Sequence, residues 1–136
     1  MATFSEDFAR IDPEELNSTA QQKGKQFAQQ DKIRTNQIRN FFSALTKIRS
    51  EFHQEQRKSS GNGKELPPTV RKDLVMLRPK LAYAAGRHSE VRAFQEFFDE
   101  AISAVLKSEN PVEAIKNLFF LSDAVLAYHK YFGGKD

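Results

Sequence analysis

The residues best able to do acid–base or metal chemistry in this chain stand apart from one another. The three histidines, His53, His88 and His129, fall on three different predicted elements, and none has a second histidine or a carboxylate at ligand spacing. We therefore expect no metal site, and read His129 as a hydrogen-bonded residue at the edge of the core. Glu96, Asp99 and Glu100 do cluster, and like-charged neighbours can raise a carboxyl pKa into the range of a general acid. Between aromatic positions of a helix the same trio forms an exposed acidic face, which is the reading adopted. With no cysteine in the chain, disulfides, thiolate metal sites and a thiol nucleophile are excluded. No phosphate-cradling or dinucleotide-binding glycine loop and no nucleophile elbow is present. The expectation is a protein without cofactor and without catalysis.

A different chemistry, contact with a polyanion, is better supported. The net charge is only +3, but it is unevenly spread. Residues 31–92 hold 14 basic and 6 acidic side chains, against 3 and 5 in residues 1–30 and 4 and 7 in residues 93–136. A solvated surface normally intersperses both signs, so the middle segment is suited to a negatively charged partner. On a helical wheel, the side opposite the apolar stripe around Phe41, Leu45 and Phe52 collects Asn36, Arg39, Asn40, Ser43, Lys47 and Ser50, with no acid among them. Lys32, Arg34 and Arg49 lie elsewhere around the same helix, the two arginines bordering its core side. An ordinary surface helix mixes Glu with Lys to gain pairs four residues apart. A face of amides, hydroxyls and cations instead matches phosphate and ribose oxygens.

A second element adds Arg71, Lys72, Arg78, Lys80 and Arg87 against the single acid Asp73, and Arg92 follows. Arginine offers phosphate a planar, bidentate donor and lysine a mobile point charge. Tyr83 either stacks on a base or ribose or packs at the core edge. There is no helix-turn-helix motif, and no strand to carry the aromatics of an RNA recognition module. Backbone contact without base reading is what remains.

The elements that must position these residues are helices. Ile38, Phe41, Phe42, Leu45, Ile48 and Phe52 share one stripe and predict a helix over about 31–55. Gln54 to Pro68 contains Ser59-Ser60-Gly61-Asn62-Gly63 and ends in Pro67-Pro68, and is expected to be a flexible loop. Thr69 is a candidate cap for a helix carrying Val70, Leu74, Leu77 and Leu81; Pro79 should kink or divide it, and Gly86 should close it. Ser89 is a candidate cap for a helix through Val91, Phe94, Phe97, Phe98, Ile102 and Val105. Asn110-Pro111-Val112-Glu113 is a helix-start signature for a last helix ending at Gly133-Gly134. That helix is apolar over most of its girth, so it should be central or covered by a partner. Residues 1–30 predict a polar tail or lead-in helix, with Phe4, Phe8, Ile11 and Leu16 able to form a short docking turn. The fold class expected is all-α, a compact bundle of about five helices in one domain over 31–136. The acidic opening, broken by Pro13, predicts no secretory signal, and no run approaches the roughly 18 apolar residues of a membrane span; a cytoplasmic protein without membrane contact is expected.

Three stretches also resemble a known family: KIRTNQIRNFFSALTKIR at 32–49, LRPKLAYAAGR at 77–87 and AVLAYHKYFGGK at 124–135. They are similar to the small helical subunits of type III-A CRISPR–Cas effector (Csm) complexes, over about residues 30–136 and in the same order. The resemblance implies a non-catalytic antiviral ribonucleoprotein subunit, present in several stacked copies among other effector subunits and holding target RNA beside the guide duplex by its backbone. Cleavage would belong to neighbouring subunits. Arg39 and Gln37 match the first motif, and Lys80 and Arg87 the second. Arg39, Lys47, Lys80 and Arg87 are the residues expected to face phosphate, with Lys32, Arg34, Arg49 and Arg78 as a second rank. Tyr128 and Tyr131 are expected in a bundle or subunit contact. The alternative reading is a helical protein-interaction adaptor whose basic face meets an acidic partner.

Overall fold

Nine of the twelve phenylalanines in this chain of 136 residues are buried, and their placement explains how the helices meet. The computed structural model describes Phe4, residues 7–58 and residues 65–136. Among these residues it contains five α-helices and no strand: α1 (Pro13–Lys25), α2 (Thr35–Lys58), α3 (Pro68–Arg87), α4 (Arg92–Lys107) and α5 (Pro111–Tyr131). Phe27, Phe41 and Phe94 meet edge to face, with Phe27–Phe94 centroids 5.3 Å apart and Phe41–Phe94 centroids 5.5 Å apart. Phe98 closes on both Phe41 and Phe94 at 4.8 and 4.7 Å. Edge-to-face rings gain from their quadrupoles as well as from burial. This cluster joins α2 to α4 and to the turn that follows α1.

The helix boundaries follow local chemistry, with several departures from expectation. Asn110 caps α5, its side chain accepting from the Glu113 N–H at 3.3 Å, as the start signature predicts. Thr69 is not a cap, because α3 already begins at Pro68, where a missing N–H costs nothing. Pro79 neither ends nor divides α3, which runs on to Arg87, past Gly86. Ser89 opens a short 3-10 turn, Ser89–Val91, and α4 follows. Residues 54–58 of the expected loop are the last turn of α2; Ser59 to Gly63 lie outside the described residues.

The segment before residue 31 is an integral layer of the bundle. Phe4, Phe8, Ile11, Leu16, Ala20 and Phe27 are all buried, and α1 packs along α5. The docking turn exists, as the 3-10 turn Phe8–Arg10. Asp7 caps it, accepting from the Ala9 N–H at 3.0 Å, from the Ser108 hydroxyl at 2.5 Å and from the Glu109 N–H at 3.1 Å. The Ser108 hydroxyl above all, then the two backbone donors, hold the Asp7 carboxyl below its ordinary pKa.

Gly24 is buried where α1 crosses α5. A Cβ there would stand 2.5 Å from the Tyr128 Cβ and 3.0 Å from the His129 backbone nitrogen, and neither atom can swing away. Glycine inside a helix normally costs about 0.5–1 kcal/mol relative to alanine; here it permits the close crossing. We expect Gly24→Ala to lower stability by about 1–3 kcal/mol despite its better helix propensity, measured as a drop in the urea midpoint.

Candidate nucleic-acid interface

The cations of interest ride on α2 and α3, so the element that aims α2 comes first. Gly133, at φ +95°, turns the chain back after α5. Gly134 N–H bonds the His129 carbonyl at 2.8 Å and Gly133 N–H the Lys130 carbonyl at 3.1 Å, the pair of bonds of a Schellman stop. Gly134 then lies flat on the His129 ring, and any Cβ at that position would collide with it. His129 is fully buried rather than at the core edge, and its Nε2–H donates to the Ile33 carbonyl at 2.7 Å. The Lys135 carbonyl accepts from the Thr35 N–H at 2.8 Å, satisfying a donor in the first turn of α2. Gln37 completes the start of the helix: its Oε1 accepts from the Arg34 N–H at 2.8 Å, the reciprocal half of a capping box. Its Nε2 donates to Glu90 at 3.0 Å, which holds that carboxyl below its ordinary value.

From that start α2 runs beside α3 in the opposite direction, and a groove of about 620 Å³ opens between them. Gln37, Ile38, Asn40 and Phe41 form one wall; Met76, Pro79, Lys80, Leu81, Tyr83 and Ala84 form the other; Val91 and Phe94 lie at the base. The first and second sequence motifs therefore face each other across it. Asn36, Arg39, Asn40, Ser43, Lys47 and Ser50 are all exposed, as the wheel predicts.

The nine expected site residues separate into three groups. Arg34, Lys47, Lys80 and Arg87 are exposed and make no ion pair with the described residues, and of the four Lys80 lines the groove. Arg87 sets its guanidinium 6.0 Å from the Tyr83 ring centre. Arg39 and Lys32 are exposed but elsewhere. Arg39 lines a separate depression with Thr35, Phe42, Ser43, Thr46 and Leu126, toward α5. Lys32 holds a left-handed backbone, φ 55°, in the turn before α2. Arg49, Arg78 and Gln37 are committed to the fold. Arg49 pairs with Asp123 at 2.8 Å and lies over the Phe119 ring, while Arg78 forks onto Asp99 at 2.8 and 3.2 Å. Asp99 thus leaves the acidic trio to tie α4 to α3. Asn40 and Met76 were not among the expected site residues, although their helical spacing from Gln37 and Lys80 places them on the same walls.

At the far end of the helix pair two carboxyls come together. Burial, then the Asp73 carboxylate on α3, push the Glu51 carboxyl above its ordinary value; Lys47 opposes them. Among the described residues no group of three or more His, Asp or Glu side chains is arranged to hold a metal, and no helix is long and apolar enough to cross a membrane.

A family model described as Csm2 Type III-A matches residues 10–135. The chain belongs to the Csm2 family, the small subunits of type III-A CRISPR Csm complexes. The match takes in α1 as well as the stretches that carried the resemblance, in keeping with the packing of α1 on α5. No match emerges among curated proteins or solved structures. Within this Csm2 chain the third motif, Ala124–Lys135, acts largely through the His129–Gly134 clasp. Tyr128 serves the bundle by donating its hydroxyl to Asn17 at 2.8 Å, and Tyr131 stands 78% exposed.

Two measurements test this arrangement. Gly134→Ala should displace the His129 ring, accelerate hydrogen exchange at the Thr35 amide and cost about 1–3 kcal/mol of stability. A carboxyl whose folded pKa is raised contributes stability that is present in acid and lost as pH rises through that pKa. Glu51→Gln should therefore raise the urea midpoint near neutral pH and leave it almost unchanged below the ordinary carboxylate range.

Proposed function

We propose that this Csm2 chain is a non-catalytic subunit that holds target RNA by its backbone, and that its α2–α3 side is the contact surface. One observation carries the reading: among the described residues Arg34, Lys80 and Arg87 make no ion pair, and Lys47, which lies near Glu51, makes no direct one. Unpaired cations on adjacent antiparallel helices repel one another, and a phosphate chain laid along them relieves that repulsion. Nothing in the arrangement reads base identity through a major groove, so binding is sequence-independent. Arg39, on the α5 flank, and Lys32, in the turn before α2, extend the positive field rather than line the groove.

Contact with neighbouring subunits, including copies of this chain, is assigned to α5. Phe120 and Tyr131 are 57% and 78% exposed, and with the exposed Ala127 they form one strip along three turns. Exposed aromatics in line on a helix are the surface that stacked copies would cover.

Charge reversal tests the RNA reading. Lys80→Glu with Arg87→Glu should weaken binding of single-stranded RNA at least about tenfold. It should also lower the slope of log affinity against log salt by about 0.7 for each contact removed, with an unchanged helical spectrum. Arg39→Glu should have the smaller effect. Undiminished binding by a folded double variant defeats the proposal. A protein partner that survives ribonuclease treatment in a pull-down, with no RNA retained beforehand, would favour the acidic-partner adaptor.

A further inference from the structure

Backbone contact alone leaves the groove between α2 and α3 unexplained. Its floor rests on Ile38, Phe41, Leu81, Val91 and Phe94, all buried, so the surface open to an occupant comes mainly from the walls. Tyr83 is 68% exposed and Met76 50% exposed on the α3 wall. Asn40 stands on the α2 wall, and its side-chain amide has no hydrogen-bond partner among the described residues. Gln37 beside it already bonds Arg34 and Glu90. Lys80 stands at the rim and Arg87 one helical turn beyond Tyr83, both without an ion pair among the described residues. An occupant of this site must present a flat apolar face, a polar edge and adjoining negative charge.

A nucleotide carries all three. We propose that the α2–α3 groove seats one unstacked base of the bound single-stranded RNA, with Tyr83 as its stacking surface, Asn40 as its edge contact and Lys80 and Arg87 on the flanking phosphates. The inference rests on the RNA reading above and assigns that surface a base subsite. The volume, about 620 Å³, lies within the range of small-molecule sites, roughly 300–1,000 Å³. An amide offers both a donor and an acceptor, so Asn40 accommodates the edge of any base and the subsite stays tolerant of sequence. Stacking on tyrosine is equally indifferent, because every base has a π face. An apolar helix from a second protein fits less well, since it would set hydrocarbon against the cations at the rim.

The test uses the full chain and two probes, a uridine oligoribonucleotide of about 12 nucleotides and an abasic strand of the same length and charge. The intact strand should bind about tenfold more tightly than the abasic one at equal salt, the order of one stacked base. Tyr83→Ala should abolish that difference and Tyr83→Phe should keep it, each with the salt slope unchanged. Photocrosslinking with a halogenated uridine should mark Tyr83 or Met76 in the unmodified protein. Equal affinity of wild-type protein for the two strands, or a Tyr83→Ala loss shared by both, would overturn the base subsite while leaving backbone binding intact. Failure to bind either strand would sink the RNA reading itself and the subsite with it.

Discussion

The aim of α2 depends on a buried imidazole. His129 spans from the last turns of α5 to the Ile33 carbonyl, just before α2 begins, at 2.7 Å. The chain beyond α5 then folds over the ring and returns the Lys135 carbonyl to the Thr35 N–H. The first of these bonds is buried, with His129 and Ile33 both closed to solvent, and leaving such a partner unmade costs about 1–3 kcal/mol. Their importance is geometric: direct packing of α2 against α5 is slight. Without the clasp, the N-terminal turns of α2 would be held mainly by Gln37 and the phenylalanine cluster. Gly134 is the residue that lets the backbone approach the ring, and Gly133 supplies the left-handed turn that leads to it.

The charge pattern follows the same division between fold and surface. Two arginines of the basic segment are spent between helices: Arg78 ties α3 to α4 through Asp99, and Arg49 ties α2 to α5 through Asp123. Both pairs are part-exposed, so each contributes little to stability, about 0–1 kcal/mol. Their effect is to place acids of the C-terminal third against the flanks of the helix pair rather than against its open side. The other cations of α2 and α3 are exposed, against the three acids Glu51, Glu55 and Asp73 on the same helices. A local excess of one sign generates a field that acts beyond direct contact.

Legibility in the sequence varied with the range of the interaction. The stripe on α2, the Asn110 cap and the acid-free polar face were visible because helical period and capping are local. Pro79 left a kink or a division open, and the helix is not divided, because it can absorb one proline when the rest of the turn is well packed; Leu77 and Leu81 on either side of it are buried. The lead-in segment looked polar because α1 buries only a narrow set, Leu16, Ala20 and Gly24, and the mean pattern hides so thin a seam. Gly24 looked like an interruption, whereas close approach to Tyr128 is its use, and closeness between distant residues leaves no local signal.

The amino-acid sequence by itself determined an all-helical chain, the order of its main helices, the concentration of cations between residues 31 and 92, and membership of a family recognisable from three short stretches. All of these depend on neighbours within a few turns or on composition alone. Only the tertiary structure decided which cations remain free, that Gln37 is a helix cap, that Arg39 and Lys80 lie on different flanks, and that Asn40, Met76 and Tyr83 share the walls of a groove. Those outcomes depend on pairings such as Arg78 with Asp99, Arg49 with Asp123 and His129 with Ile33. Such partners are chosen by how helices pack, and packing is a property of the whole chain.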